Sequence, residues 1–128
     1  MSVQKESTAV RLALAHVQTW SDRDWDAARA ALGSNVHVTV TTTNPALPVT
    51  DTTGPDDYMV GLETWAGAIV PGTLQVLNAV GDDRNALVTF SVEVNFGFGP
   101  TPSAGARLYL FDDENKIAAE QVVFYLAA

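Results

Sequence analysis

An α+β fold is what the 128-residue sequence predicts, with helices mainly in the first half and a long, mostly antiparallel sheet in the second. Two observations carry this. Residues 84–97, 103–112 and 116–126 are three successive segments rich in β-branched and aromatic residues, joined by turns. Ahead of them lie segments whose apolar residues recur at helical spacing, with only one strictly alternating stretch, NVHVTVTTT at 35–43, among them.

In chain order, residues 5–20 read as a first helix. Ala9, Ala13, His16 and Trp20 form one row and Val10, Leu14 and Val17 the row beside it, an apolar stripe wide enough to face a core. Ser21-Asp22-Arg23-Asp24 breaks that helix and offers side-chain oxygens to the free N–H groups of the next. The second helix is expected over 24–32, ended by Gly33. In the strand at 35–43, Val36, Val38 and Val40 face one side and His37, Thr39 and Thr41 the other. Residues 44–53 read as a two-proline loop, with room for a short edge strand around Val49.

Gly54-Pro55 opens a third helix, because proline suits its first position and Asp56 and Asp57 suit its positive end. Tyr58, Leu62, Trp65 and Ile69 form the buried stripe, and Val70-Pro71-Gly72 stops the helix. A strand at 73–81 turns through Gly81-Asp82-Asp83 into the long strand from 84. The final hairpin turns through Asp112-Asp113-Glu114-Asn115, where Asn115 tolerates the positive φ that tight turns need.

Composition narrows the function classes. The chain is one domain by length, and its 47% hydrophobic content is enough for a core. Fifteen acidic against seven basic residues give a net charge of −8, which argues against nucleic acid and anionic membrane as partners. Without cysteine there is no disulfide, thiolate metal site or cysteine nucleophile. MSVQKESTAV has no basic-then-apolar leader pattern and no segment has the length of a membrane span, so a cytoplasmic location is expected. Two histidines, 16 and 37, on different elements are too few for a metal centre, and no phosphate-cradling glycine loop is present. The acidic pairs 56–57, 82–83 and 112–113 fit helix-start and turn chemistry.

Three stretches carry a family resemblance: WSDRDWDAARAAL at the helix corner, GPDDYMVGLETWAGAI in the third helix, and RLYLFDDENKIAAEQVVFY in the closing hairpin. Over residues 8–126 the chain resembles the nuclear transport factor 2-like superfamily, within it the SnoaL-like and ketosteroid-isomerase-like group. The resemblance implies a cone-shaped barrel in which a strongly curved sheet wraps the three helices, with an apolar pocket in the open end. It implies a small apolar molecule as partner, no cofactor and no metal, and a homodimer through the outer face of the sheet.

If the family register holds, Phe90, Val92, Val94 and Phe96 point inward, as do Arg107, Tyr109 and Phe111 on the next strand and Glu120, Val122 and Phe124 on the last. Thr89, Ser91, Glu93 and Asn95, with Thr39 and Thr41, then face outward as the dimer surface. Trp20, Val40, Leu62, Trp65, Phe90, Val92, Tyr109, Val122 and Phe124 are the expected substrate contacts.

The candidate catalytic residues are His16, Arg107 and Glu120. By the resemblance, His16 falls where ketosteroid isomerases place an oxyanion tyrosine, and Arg107 where they place a second oxyanion group. Each also has a structural reading: His16 as a core histidine, Arg107 and Glu120 as a cross-strand pair. The isomerases' base, a carboxylate near the end of the first strand, has no counterpart in Val38-Thr39-Val40-Thr41-Thr42. The counterparts of the epoxide hydrolases' Asp-Arg-Asp set are Val92, Val94 and Val122, and only Glu120 could serve as the acidic residue of a SnoaL-type cyclase.

The expected function is therefore acid–base chemistry on an apolar carbonyl, polyketide-like or terpenoid substrate (isomerase, cyclase, lyase or epoxide hydrolase). His16 or Glu120 would move the proton and Arg107 would hold the oxyanion. The alternatives are a non-catalytic ligand-binding or dimeric scaffold domain and, last, a transport adaptor binding protein partners across the sheet.

Overall fold

The computed structural model describes residues 7–43 and 49–126. Its elements are α1 (Thr8–Ser21), α2 (Trp25–Ala30), β1 (Leu32–Thr42), β2 (Thr50–Thr53), α3 (Pro55–Ala66), β3 (Gln75–Gly81), β4 (Asn85–Val94), β5 (Thr101–Phe111) and β6 (Ile117–Leu126). The expected α+β architecture is present. One six-stranded sheet runs in the order β2-β1-β6-β5-β4-β3, antiparallel throughout except for the parallel β1–β6 pair. The barrel does not close, and β2 and β3 are its edges.

Helix starts follow local chemistry. Ser7 caps α1 by accepting from the Val10 amide, and Asp24 caps α2 by accepting from Ala27. Gly54, at φ 100°, turns the chain into α3 with Pro55 in the first turn. Both expected rows of α1 face the core, which buries Ala9, Val10, Ala13, His16, Val17 and Trp20.

Three boundaries differ from expectation. Helix α2 ends at Ala31 and not at Gly33, which lies inside β1. The C-terminal hairpin captures the chain there: the Ile117 amide donates to the Ala31 carbonyl and Lys116 Nζ to Ala30. Helix α3 stops at Ala66, short of Val70-Pro71-Gly72. Arg23 reaches across to the carbonyls of Gly67 and Ile69, and Ile69 forms an isolated bridge with Val94, so Ile69 is buried beyond the helix. Strand β4 ends at Val94, because the Asn95 amide turns to Ala68 and the Asn95 side chain accepts from the Gly97 amide. Phe96 is therefore not an inward strand residue but sits 52% exposed beyond the strand. Of the loop expected at 44–53, residues 44–48 lie outside the described residues, and β2 forms just after Val49.

The register within the sheet is the expected one. Val88, Phe90, Val92 and Val94, then Arg107, Tyr109 and Phe111, then Glu120, Val122 and Phe124 all point into the buried face. The hairpin closes with Asn115 at φ 60° and the Asp112 carboxylate accepting from the Glu114 and Lys116 amides.

Candidate active site

A cavity of about 560 Å³ lies between α3 and the β2-β1-β6 side of the sheet. Its walls are apolar: Val38 and Val40 from β1, Val122 and Phe124 from β6, Leu62 and Trp65 from α3. The buried members Tyr58 and Arg107 form its floor, while the exposed Asp57, Gly61, Thr64 and Phe96, with Thr50 and Thr52 of β2, mark its mouth. The volume falls within the range of small-molecule sites.

The floor is one polar cluster. Arg107 and Glu120 form a buried ion pair through Arg107 Nη1, on a diagonal of the sheet, since Glu120 stands opposite Tyr109 and Arg107 opposite Val122. Tyr58 of α3 donates its hydroxyl to the other Glu120 oxygen. The guanidinium rests against a pair of touching indole rings, 5.0 Å from the Trp20 centroid and 5.2 Å from Trp65, in cation–π contact with both. Its Nε is enclosed without an acceptor.

Burial opposes the charge on Arg107, but Glu120, Tyr109 and Tyr58 outweigh it and hold the guanidinium charged above its ordinary range. Burial pushes the Glu120 carboxyl up, against the opposing pull of Arg107 and the Tyr58 hydroxyl. The fixed cation on one oxygen and the hydroxyl on the other favour its anionic form against that burial. Burial, and then the negative Glu120, also push the Tyr58 hydroxyl well above its usual range.

His16 is not at the cavity. It is buried behind the floor, with Nε2 3.2 Å from the Ala28 carbonyl and Nδ1 3.1 Å from the Tyr109 hydroxyl. A carbonyl only accepts, so Nε2 carries the proton and Nδ1 accepts from Tyr109. Burial, with Arg107 nearby, lowers its pKa to about 3, so the ring is neutral.

The structure thus brings Arg107 and Glu120 together and leaves His16 one layer away. Of the expected substrate contacts, Val40, Leu62, Trp65, Val122 and Phe124 line the cavity; Trp20, Phe90, Val92 and Tyr109 do not. Trp20 is covered by Trp65 at 5.3 Å and Phe90 at 5.9 Å. The tip of the Phe90 ring packs against Gly105, where a Cβ would come within 2.6 Å of it, so this stretch of the sheet is filled core. Tyr109 stacks on Phe111 and faces His16.

Several cavity residues went unassigned to the site, among them Tyr58, Asp57 and Thr50 and Thr52 of β2. Tyr58 carried a signal: a tyrosine on a buried stripe must find a partner for its hydroxyl, and Glu120 is the inward-facing carboxylate. Asp57 read only as helix-start chemistry, and the β2 threonines depend on an edge pairing (His37 opposite Thr53, Val40 opposite Thr50) that no local pattern encodes. His37 is on the outer side, beside Asp51 at 2.8 Å and Thr53 at 3.2 Å. Among the described residues no group of acidic and histidine side chains could hold a metal ion, and no helix is long and apolar enough to cross a membrane.

No protein-family model matches the chain, and no curated protein sequence does. Solved structures do. A steroid delta-isomerase from Pseudomonas aeruginosa matches at 18% identity and a TM-score of 0.70, over 96% of this chain and 83% of that one. A Mycobacterium tuberculosis protein solved in complex with estradiol-17beta-hemisuccinate matches at 11% and 0.74, over 91% and 93%. A nuclear transport factor 2-like protein of unknown function from Cytophaga hutchinsonii matches at 16% and 0.61, over 95% and 94%. The chain carries the nuclear transport factor 2-like fold, the fold that its closing hairpin and helix order led one to expect. At these identities the likeness is one of fold.

Proposed function

We propose that this protein binds a small, largely apolar molecule of steroid, terpenoid or aromatic polyketide size, holding an oxygen of that molecule at Arg107. The observation that carries this reading is a cavity with aliphatic and aromatic walls and a permanent cation at its floor. Arg107 lines the cavity and spends one N–H on Glu120, and the donor for a ligand oxygen comes from its remaining N–H groups. In so apolar a cavity such a donor both orients the ligand and polarises its carbonyl. Neighbours of this fold in complex with estradiol-17beta-hemisuccinate, or described as steroid delta-isomerase, support the ligand class.

One observation favours acid–base catalysis on the bound molecule. The Glu120 carboxylate is one hydroxyl away from the cavity, through Tyr58. A proton leaving a carbon beside the ligand carbonyl would pass to Tyr58 Oη as the Tyr58 proton passes to Glu120, with Arg107 holding the enolate oxygen; return of the proton to another carbon gives an isomer. Tyr58 and Glu120, not His16, are then the proton-moving pair, since His16 lies behind the floor with both ring nitrogens engaged.

The test is a thermal-shift screen against steroids, terpenoid epoxides and aromatic polyketide fragments, each hit then assayed for conversion by the protein and by Tyr58→Phe. A ligand at a hundredfold excess over its Kd stabilises the fold by about 2.7 kcal/mol, a readily measured shift. Absence of any hit overturns the binding reading. Equal turnover by Tyr58→Phe overturns the relay, while hits without turnover leave a binding protein.

A further inference from the structure

Counting charge around the cavity sharpens the class of ligand. Arg107 supplies +1 at the floor, and Glu120, bonded to it, supplies −1. His16 behind them is kept neutral by its burial and by the Arg107 charge nearby, and its Nδ1 accepts from Tyr109. At the mouth Asp57 adds an exposed −1, and among the described residues Arg107 is the one basic side chain lining the cavity. A ligand carboxylate at Arg107 would share one guanidinium with the Glu120 carboxylate in a water-poor space, where like charges repel most strongly. A neutral carbonyl or hydroxyl oxygen accepts the same hydrogen bond without that repulsion.

We propose that the cavity selects neutral, oxygen-bearing apolar molecules against their carboxylate analogues, because Glu120 already neutralises the cation at its floor and Asp57 places an anion at its mouth. The inference rests on the binding reading above and adds the sign of the ligand's charge. It separates this chain from its fold neighbour in complex with a hemisuccinate ester, a molecule with a carboxylate tail. Rejection is shared between two sites: the floor discriminates by competition for Arg107, the mouth by long-range repulsion that added salt weakens.

Two matched pairs test it by titration of tryptophan fluorescence at pH 7.5: androst-4-ene-3,17-dione against 3-oxoandrost-4-ene-17β-carboxylate, and 2-acetylnaphthalene against 2-naphthoate. The neutral member of a pair is expected to bind about tenfold or more tighter, the size of one uncompensated charge contact. Asp57→Asn should narrow that ratio, by tightening the carboxylate more than its neutral partner. Glu120→Gln should reverse it, since an uncompensated Arg107 then favours the anion. A carboxylate that binds the native chain as well as its neutral partner overturns the inference and leaves the binding reading standing. So does a ratio unmoved by Asp57→Asn and, where that variant folds, by Glu120→Gln. Failure of all four compounds to bind removes the binding reading and this inference together.

Discussion

Arg107 and Glu120 illustrate how one buried pair can serve a site and burden a fold. Two charges taken out of water are costly, and their attraction repays this only with good geometry and further hydrogen bonds. Here Tyr58 supplies the further hydrogen bond, and the Trp20 and Trp65 rings add cation–π contact. Removing one partner leaves the other uncompensated, so Glu120→Gln is expected to lower unfolding free energy by about 3–5 kcal/mol. Urea unfolding with an unchanged m-value measures it, and a loss below about 1 kcal/mol would mean that water reaches the guanidinium. His16 gives a second residue-scale expectation. Its folded pKa, about 3, lies below the free value of 6.5, so the unfolded chain binds the extra proton between those values. Its contribution is fully present above pH 6.5 and is lost as pH falls from there toward 3. Lowering pH from 7.5 to 5.5 should therefore cost about 1.4 kcal/mol through this group alone. His16→Gln should lack that component; an unchanged pH slope would show that the ring titrates normally.

At the scale of elements, α3 does two jobs: its buried stripe supplies Tyr58, Leu62 and Trp65 to the core and the cavity, and its exposed edge forms part of the mouth. Gly61 sits on that edge, and a Cβ built there meets nothing within 4 Å. A glycine inside a helix costs about 1 kcal/mol relative to alanine, so nothing in the packing explains it. Gly61→Leu is expected to fold with equal or higher Tm while its side chain fills the mouth and abolishes ligand-induced stabilisation. Retention of ligand shifts in that variant would place binding elsewhere. The same element marks what the sequence could and could not disclose. The inward faces of β4, β5 and β6 were expected from the family register, because alternation alone does not choose between Arg107 and Tyr109 on one side of β5 and Leu108 and Leu110 on the other. The pairing of Arg107 with Glu120 followed from that register. The extent of the cavity did not, since it depends on where α3 crosses the sheet and on a four-residue edge strand. Trp20, Phe90 and Tyr109 are large inward aromatics like those at the cavity, and only three-dimensional packing separates the two groups. Helix ends were misplaced where tertiary hydrogen bonds, those of Ile117 and Arg23, override local stop signals.

For the whole molecule the outer face of the sheet is the feature that its acidic composition hides. Thr89, Ser91 and Glu93 do point outward, with Asn95 exposed beyond the strand, but they alternate with a more apolar set on the neighbouring strands. Cross-strand pairing lines up Val80, Leu87 and Leu108 in one row, Ala106 and Val123 in the next, and Ala104 and Tyr125 beyond them. The larger of these side chains are all exposed, Leu108 by 40%. Exposed apolar side chains gathered on one sheet face, here interrupted by Thr89, Ser91 and Gln121, form a surface that a second copy can cover by twofold symmetry. We therefore propose a homodimer joined through this face, on the side of the sheet opposite the helices and the cavity. Light scattering is expected to give twice the 13.6 kDa of one chain. Leu108→Glu, which puts a carboxylate from each chain on the proposed interface at an exposed position, should return the mass of a single chain with an unchanged circular dichroism spectrum. Because the cavity opens on the other side, that monomer should keep its ligand affinity. A native chain that scatters as a monomer at high concentration would leave the leucine rows without a partner and sink the dimer, while a monomeric variant that loses binding would show that the partner chain completes the site.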